Sequence, residues 1–210
     1  LEAMALDDLV IRQGGFFSLP GGETHAWRRG QSTRAVDRKM RIARRAGNLM
    51  RFIPFCQALF VCNTVASGSA SDASDIDVLV VVSAGRMWTA RALLSCCLHA
   101  ARLRRHGARV RDRICLSFFL SDARLNLSEV ATGQTDVYLI HWLDQLIPVF
   151  DPSGLRRVIF RENTWAAAYL PNGFQPFVPA ERFRARAVLP RFRVFAERIL
   201  RGKVGDALEQ

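Results

Sequence analysis

Two aspartates, Asp75 and Asp77, directly precede the apolar run Val78-Leu79-Val80-Val81-Val82. If that run is a strand, side chains two residues apart point to the same side, and the two carboxylates converge on one point. Adjacent carboxylates repel each other unless a cation lies between them. Mg²⁺ suits such oxygen ligands and keeps positions free for substrate phosphates. The pair therefore predicts a magnesium site, of one or two ions, with Asp75 and Asp77 as ligands and catalytic residues.

The loop before this pair begins with Asn63-Thr64, contains Gly68-Ser69 and ends at Ser74. Small residues and hydroxyl groups allow backbone N–H groups to approach a phosphate closely. Phosphoryl and nucleotidyl transfer depend mainly on positioning and charge neutralisation. We therefore predict that Asn63, Thr64 and Ser74 bind a nucleoside triphosphate. The alternative is a solvated turn in which the aspartates cap backbone N–H groups.

The segment Ser74-Asp75-Ile76-Asp77 resembles the closing element of the signature of nucleotidyltransferases of the DNA polymerase beta superfamily, in particular the small bacterial minimal nucleotidyltransferase domains. In register with it, the Gly-Ser that opens the family signature falls on Asn63-Thr64. The resemblance implies that Thr64 supplies the signature hydroxyl and that Asn63 replaces a glycine. Asparagine tolerates left-handed backbone well, so this departure is mild. The resemblance covers residues 55–120 and extends more loosely over 138–171.

The resemblance implies Mg²⁺-dependent transfer of a nucleoside monophosphate, for example from ATP, to an acceptor hydroxyl. A small molecule, a protein side chain and an RNA end remain candidate acceptors. Active members of the family carry a third carboxylate on the third strand, whereas residues 113–120 contain no acid and place Cys115 and Ser117 at the inward positions. Asp112 and Asp122 only flank that strand. This departure keeps a second interpretation open: a catalytically silent fold that senses nucleotides or binds nucleic acid.

The charge balance also favours polyanionic partners, because 30 Lys and Arg against 19 Asp and Glu give a net charge of +11. Preferential use of arginine by a GC-rich genome is the competing explanation for this charge.

Arginines and phenylalanines alternate near the carboxyl terminus, as in Arg182-Phe183 and in Arg191-Phe192-Arg193-Val194-Phe195. A nucleic-acid groove combines such residues. Their helical spacing favours instead phenylalanines in the core and arginines in water.

The surrounding pattern predicts a small mixed sheet flanked by helices, an α/β (α+β) class that agrees with the nucleotidyltransferase fold. Apolar spacing predicts a basic amphipathic helix over 33–51 and a second helix over 86–105 with Gly107 as its C-cap. Strands are expected over 57–62, 78–82 and 113–120. Apart from Gln57, the first two are wholly apolar, which is typical of strands covered on both faces.

Three regions follow from this pattern. Residues 1–32 are a leader with a helix over 3–10 and a hairpin around Gly14-Gly15, which is either the end of a truncated winged helix or an extended segment on the core. Residues 33–122 form the nucleotidyltransferase core. Residues 123–210 form a helical subdomain, with helices near 127–132, 136–146, 153–169 and 180–201, the last interrupted at Pro190.

A cytoplasmic protein without membrane contact is expected. The apolar runs are far shorter than the roughly 20 residues of a membrane span, and no charged-then-apolar leader is present. The five cysteines lack the paired spacing of a zinc site or a disulfide framework. Free thiols in a reducing compartment are the simpler account.

Overall fold

The computed structural model describes residues 9–133 and 135–209. Six strands lie in these ranges: β1 (Ile11–Gln13), β2 (Phe16–Ser18), β3 (Cys56–Val61), β4 (Ile76–Val82), β5 (Ile114–Ser121) and β6 (Ile147–Phe150). The α-helices are α1 (Glu23–Met50), α2 (Asn63–Ala66), α3 (Met87–Ala100), α4 (Val137–Asp144), α5 (Leu155–Glu162), α6 (Thr164–Ala167), α7 (Arg191–Leu200) and α8 (Lys203–Leu208). Single 3₁₀ turns occupy Ser128–Val130 and Glu181–Phe183.

The central sheet has the strand order β5-β4-β3-β6. Strand β3 is antiparallel to β4 and β6, whereas β4 is parallel to β5 because α3 carries the chain back across the sheet between them. One face packs on α1 and α3 through residues such as Met40 and Leu94. The other face packs on the carboxyl-terminal helices through Trp142 and Ile159. The predicted mixed sheet flanked by helices is confirmed, and the wholly apolar strands are covered on both faces.

The amino-terminal hairpin is also confirmed. Strands β1 and β2 are antiparallel, and Gly14 and Gly15 turn the chain with φ of +57° and +83°. The helix predicted over 3–10 lies mostly outside the described residues. Helix α1 begins at Glu23 rather than near residue 33, so it runs through the boundary predicted after residue 32.

The helix predicted over 86–105 is wrong at its carboxyl end. Helix α3 ends at Ala100, and Arg102 takes a left-handed φ of +57°. The Arg102 N–H donates to the carbonyl of His99 and the Leu103 N–H to that of Leu98, which is the paired closure of a Schellman motif. Gly107 is therefore no helix cap. Residues 101–113 instead form a connection that returns the chain to β5.

The sequence pattern predicted a purely helical carboxyl-terminal region, but this region also contains a strand, β6. Strand β6 pairs with β3 and completes the sheet at its edge, where Pro148 is tolerated because no strand lies beyond it. The helix predicted over 153–169 is divided at the buried Asn163, whose side chain bonds the backbone of Leu125 and Leu127. Of the helix predicted over 180–201, only a 3₁₀ turn and α7 form.

Helix α7 departs from the prediction at Arg193 and at its two phenylalanines, whereas Arg191 and Arg198 are exposed as predicted. Arg193 is 1% exposed, whereas Phe192 and Phe195 are 56% and 65% exposed. Arg193 donates to the Cys56 carbonyl at 2.7 Å and to Glu197 at 2.9 Å, and Glu197 accepts from the Phe55 N–H. These hydrogen bonds to the start of β3 outweigh the preference of the phenylalanines for the core.

The five cysteines are free thiols, as expected. Among the described helices, none has the length and apolar character of a membrane span.

Candidate metal centre

The aspartate pair lies where β4 begins. Asp75 directly precedes the strand, Asp77 is its second residue, and the parallel register sets Asp77 beside Cys115 on β5. One ligand atom from each of Asp75, Asp77 and Cys115 can be chosen so that all three lie within 4.8 Å of one another. We call these three residues the Asp–Asp–Cys cluster. The predicted convergence of the carboxylates is confirmed, and Cys115 takes the inward position expected for it.

Hydrogen bonds hold the Asp77 carboxylate from two sides. Ser117 on β5 donates its hydroxyl to Oδ1 at 2.6 Å, and the Asn63 amide donates to Oδ2 at 3.0 Å. Asn63 has a φ of +55°, a left-handed geometry that asparagine tolerates better than most residues. The Cys62 N–H also bonds the Asp77 carbonyl. Asp77 is thereby fixed between β3, β5 and the start of α2.

The Asp75 carboxylate is paired with Arg105, a residue that the sequence did not single out. Arg105 Nη1 lies 2.6 Å from Asp75 Oδ2 and 3.8 Å from the Cys115 sulfur. This hydrogen bond to Asp75 is the main reason why the pKa of Arg105 is raised. A cation is thus present beside the carboxylates, and it is supplied by the protein itself.

The other two predicted triphosphate ligands lie apart from each other: Thr64 in α2 and Ser74 in the loop between α2 and β4. Thr64 is exposed, and its carbonyl accepts from the Ser69 N–H at 2.9 Å. The Ser74 hydroxyl donates to the Ser71 carbonyl at 3.0 Å, so it closes a turn within its own loop. Only Asn63 of the three predicted nucleotide ligands contacts an aspartate of the cluster.

Lys39 of α1 binds the end of this loop from the core of the protein. Its side chain is fully buried, and Nζ donates to the Ser74 carbonyl at 2.6 Å and to Asp112 Oδ1 at 2.8 Å. Burial raises the pKa of Asp112, but the bonds from Lys39 and Arg38 outweigh it and leave that pKa lowered. A long helix on one face of the sheet therefore fixes the backbone directly before Asp75.

Neither flanking acid of β5 completes the cluster. Asp112 is bound by Lys39 and Arg38, and Asp122 accepts from the Ala84 N–H at the far end of the strand. Among the described residues, the cluster therefore contains two carboxylates and one thiol. Oxygen ligands suit Mg²⁺, whereas a thiol is a soft ligand that Mg²⁺ does not favour. The donor set fits Mg²⁺ through Asp75 and Asp77 and not through Cys115.

The carboxyl-terminal region contributes Tyr138 to the rim of the site. This side chain is 70% exposed, and its hydroxyl lies 3.5 Å from Asn63 Oδ1. Through Asn63 it is connected to Asp77. The sequence offered no signal for Tyr138, because its position depends on how α4 packs against the end of β3.

Comparisons of the chain with families, curated proteins and solved structures find no match.

Proposed function

We propose that the chain is a Mg²⁺-dependent nucleotidyltransferase that transfers a nucleoside monophosphate from a nucleoside triphosphate to an acceptor hydroxyl. The observation that carries this proposal is the convergence of Asp75 and Asp77 at the start of β4, beside the left-handed Asn63. The sequence signature and the parallel pairing of β4 with β5 support the same assignment.

In this proposal Asp75 and Asp77 hold Mg²⁺, which, when bound, neutralises the negative charge of the triphosphate. Asn63 and Ser117 keep the Asp77 carboxylate oriented, because each donates to one of its oxygens. Thr64 is exposed at the start of α2 and offers its hydroxyl to the phosphates. Arg105 contributes a further positive charge within hydrogen-bond distance of Asp75.

Calorimetric titration tests the proposal. Each common ribonucleoside triphosphate is titrated with Mg²⁺ into the wild type and into the double variant Asp75→Asn/Asp77→Asn. Asp72→Asn is the matched control. It removes a carboxylate from the same loop, but this carboxylate pairs with Arg38 and does not belong to the cluster. We expect Mg²⁺-dependent binding to the wild type and to the control, and its loss in the double variant.

Two results would contradict the proposal: triphosphate binding that persists in the double variant, or a folded wild type that binds no triphosphate. Transfer is then followed with a triphosphate labelled at the α-phosphate. Label that enters an acceptor only when both aspartates are present supports catalysis.

A catalytically silent nucleotide-binding or nucleic-acid-binding module is the second candidate, and the Arg105–Asp75 ion pair favours it. Arg105 occupies one oxygen of Asp75, and the cluster contains a thiol where active members of the family that the sequence resembles carry a third carboxylate. Arg105→Gln separates the two candidates. If the arginine substitutes for the metal, the variant gains affinity for Mg²⁺. If Arg105 assists a triphosphate beside the metal, the variant loses affinity for the Mg²⁺–triphosphate complex.

A further inference from the structure

The connection between α3 and β5 carries a dense run of positive charge. Residues 102–113 contain six arginines and one histidine against a single acid, Asp112. That acid is already bound by Lys39 and Arg38, and Arg105 is paired with Asp75. Within the described part of the chain, four of the arginines form no ion pair: Arg102, Arg104, Arg109 and Arg113, the last of which donates to the Arg102 carbonyl. This connection therefore carries positive charge that no described residue neutralises.

Several of these side chains face one another across a surface cleft of about 300 Å³. We call it the basic cleft, and its charged or titratable lining consists of His99, Arg102, Arg104, His106, Arg109 and Arg113. The rings of His99 and His106 lie 5.0 Å apart. The pKa of His106 is lowered, first by desolvation and then by the charges of His99 and Arg109. An anion in this cleft would relieve the repulsion among its lining residues.

The basic cleft continues towards the candidate metal centre. A neighbouring cleft of about 320 Å³ shares Arg104 and His106 with it and extends to Arg105 and Cys115. Arg105 also contacts Asp75. The two clefts thus form one positively charged path that ends at the Asp–Asp–Cys cluster.

An aromatic side chain stands beside this path. Trp88 is 59% exposed, and its ring lies 5.9 Å from the guanidinium of Arg91, which lines the neighbouring cleft. Sites for single-stranded nucleic acids combine a positive groove that follows the backbone with exposed rings on which bases stack. A base that is free of a duplex can stack on Trp88 while its backbone follows the arginines.

We propose that the basic cleft binds the phosphodiester backbone of a single-stranded nucleic acid. The strand runs towards Asp75 and Asp77, where its terminal hydroxyl is the acceptor; this last assignment rests on the proposed function. A strand fits better than a free nucleotide, because unpaired arginines line both of the joined clefts. Arg102, Arg104 and Arg109 line the basic cleft, and Arg91, which forms no ion pair with a described residue, lines the neighbouring one. Arg102, Arg104 and Arg109 neutralise successive phosphates.

Fluorescence anisotropy with a labelled single-stranded RNA of about 16 nucleotides tests this proposal, with DNA of the same sequence and the matching duplex as comparisons. The triple variant Arg102→Gln/Arg104→Gln/Arg109→Gln removes three of the unpaired charges in the basic cleft and leaves Arg113, which donates to the Arg102 carbonyl, in place. The triple variant Arg34→Gln/Arg124→Gln/Arg198→Gln is the control; it removes equal charge from exposed positions that line neither cleft. Binding is measured in EDTA, so that the result does not depend on the metal centre.

Each phosphate contact on a single strand contributes about 0.7 to the slope of affinity against salt, so three contacts contribute about 2. Between about 50 and 200 mM salt, the affinity of the wild type and of the control should therefore fall about 20-fold more than that of the cleft variant. Trp88→Leu should weaken binding of the single strand and leave the salt slope unchanged. Equal losses in both triple variants, stronger binding of the duplex, or no binding by the wild type would overturn the proposal. A failed metal titration alone would overturn only the proposed function.

Discussion

Replacement of Lys39 by methionine should destabilise the fold and loosen the candidate site. Methionine preserves most of the apolar volume and removes the charge that bonds Asp112 and the Ser74 carbonyl. Removal of one partner from a buried ion pair costs about 3–5 kcal/mol. The Asp112 side chain is 22% exposed and keeps its bond to Arg38, so we expect a loss of about 2–3 kcal/mol in the free energy of unfolding.

Urea denaturation followed by tryptophan fluorescence measures this loss. Arg38→Gln is the control, because it removes the partly exposed partner of the same carboxylate and should cost less than about 1 kcal/mol. Calorimetric titration of Mg²⁺ and a nucleoside triphosphate should also show weaker binding by Lys39→Met than by the wild type. The reason is that Lys39 fixes the carbonyl of Ser74, directly before Asp75.

The pH dependence provides a second test of the Lys39–Asp112 pair. The pKa of Asp112 is lowered below its usual 3.8, so its contribution to stability is fully present above that pH and is lost as the pH falls through the lowered value. The stability gap between the wild type and Lys39→Met should therefore narrow in acid. A loss below about 1 kcal/mol at neutral pH, or a gap that does not change with pH, would show that the Lys39–Asp112 ion pair does not stabilise the fold.

Three further substitutions test other parts of the structure by thermal or chemical denaturation. Arg193→Met should cost about 3 kcal/mol, because it leaves Glu197 without its partner in a mostly buried site; a loss within 0.5 kcal/mol, about that of a surface change, would contradict this. Asn63→Ala should be about 1 kcal/mol less stable than Asn63→Gly, since both lose the amide and only alanine resists a φ of +55°; equal stabilities would contradict this. Asn163→Ala should cost about 2–4 kcal/mol through unsatisfied backbone groups, whereas the exposed Asn172→Ala should stay within about 0.5 kcal/mol.

The core strands and the aspartate pair could be predicted because local patterns determine them. A continuous apolar run such as Val78-Leu79-Val80-Val81-Val82 indicates a strand covered on both faces, and the two-residue period of a strand sets Asp75 beside Asp77. These predictions required only neighbouring residues.

The position of Arg105 could not be predicted in this way. It depends on where α3 ends, and that end is set by Arg102 in a conformation for which glycine is the usual signal. Gly107 offered that signal and was misleading. Burial of Leu103 against the core explains the earlier end, since the chain must turn back at that point to bring this side chain inward.

Strand β6 and the orientation of α7 depend on tertiary contacts. Ile147-Pro148-Val149-Phe150 is short and contains a proline, so only its pairing with the edge of β3 reveals it as a strand. The side chain of Arg193 is buried because carbonyl groups at the start of β3 and Glu197 accept its hydrogen bonds. The periodicity of the α7 sequence therefore does not predict that Arg193 is buried.

The most direct test of the metal centre is anomalous scattering from crystals grown with Mn²⁺, as a stand-in for Mg²⁺, and a non-hydrolysable triphosphate. We expect an anomalous peak bound by oxygens of Asp75 and Asp77, with Arg105 displaced from Asp75 or turned towards the phosphates. A peak elsewhere, or no peak with the Arg105–Asp75 ion pair intact, would contradict the assignment of this cluster as the metal site.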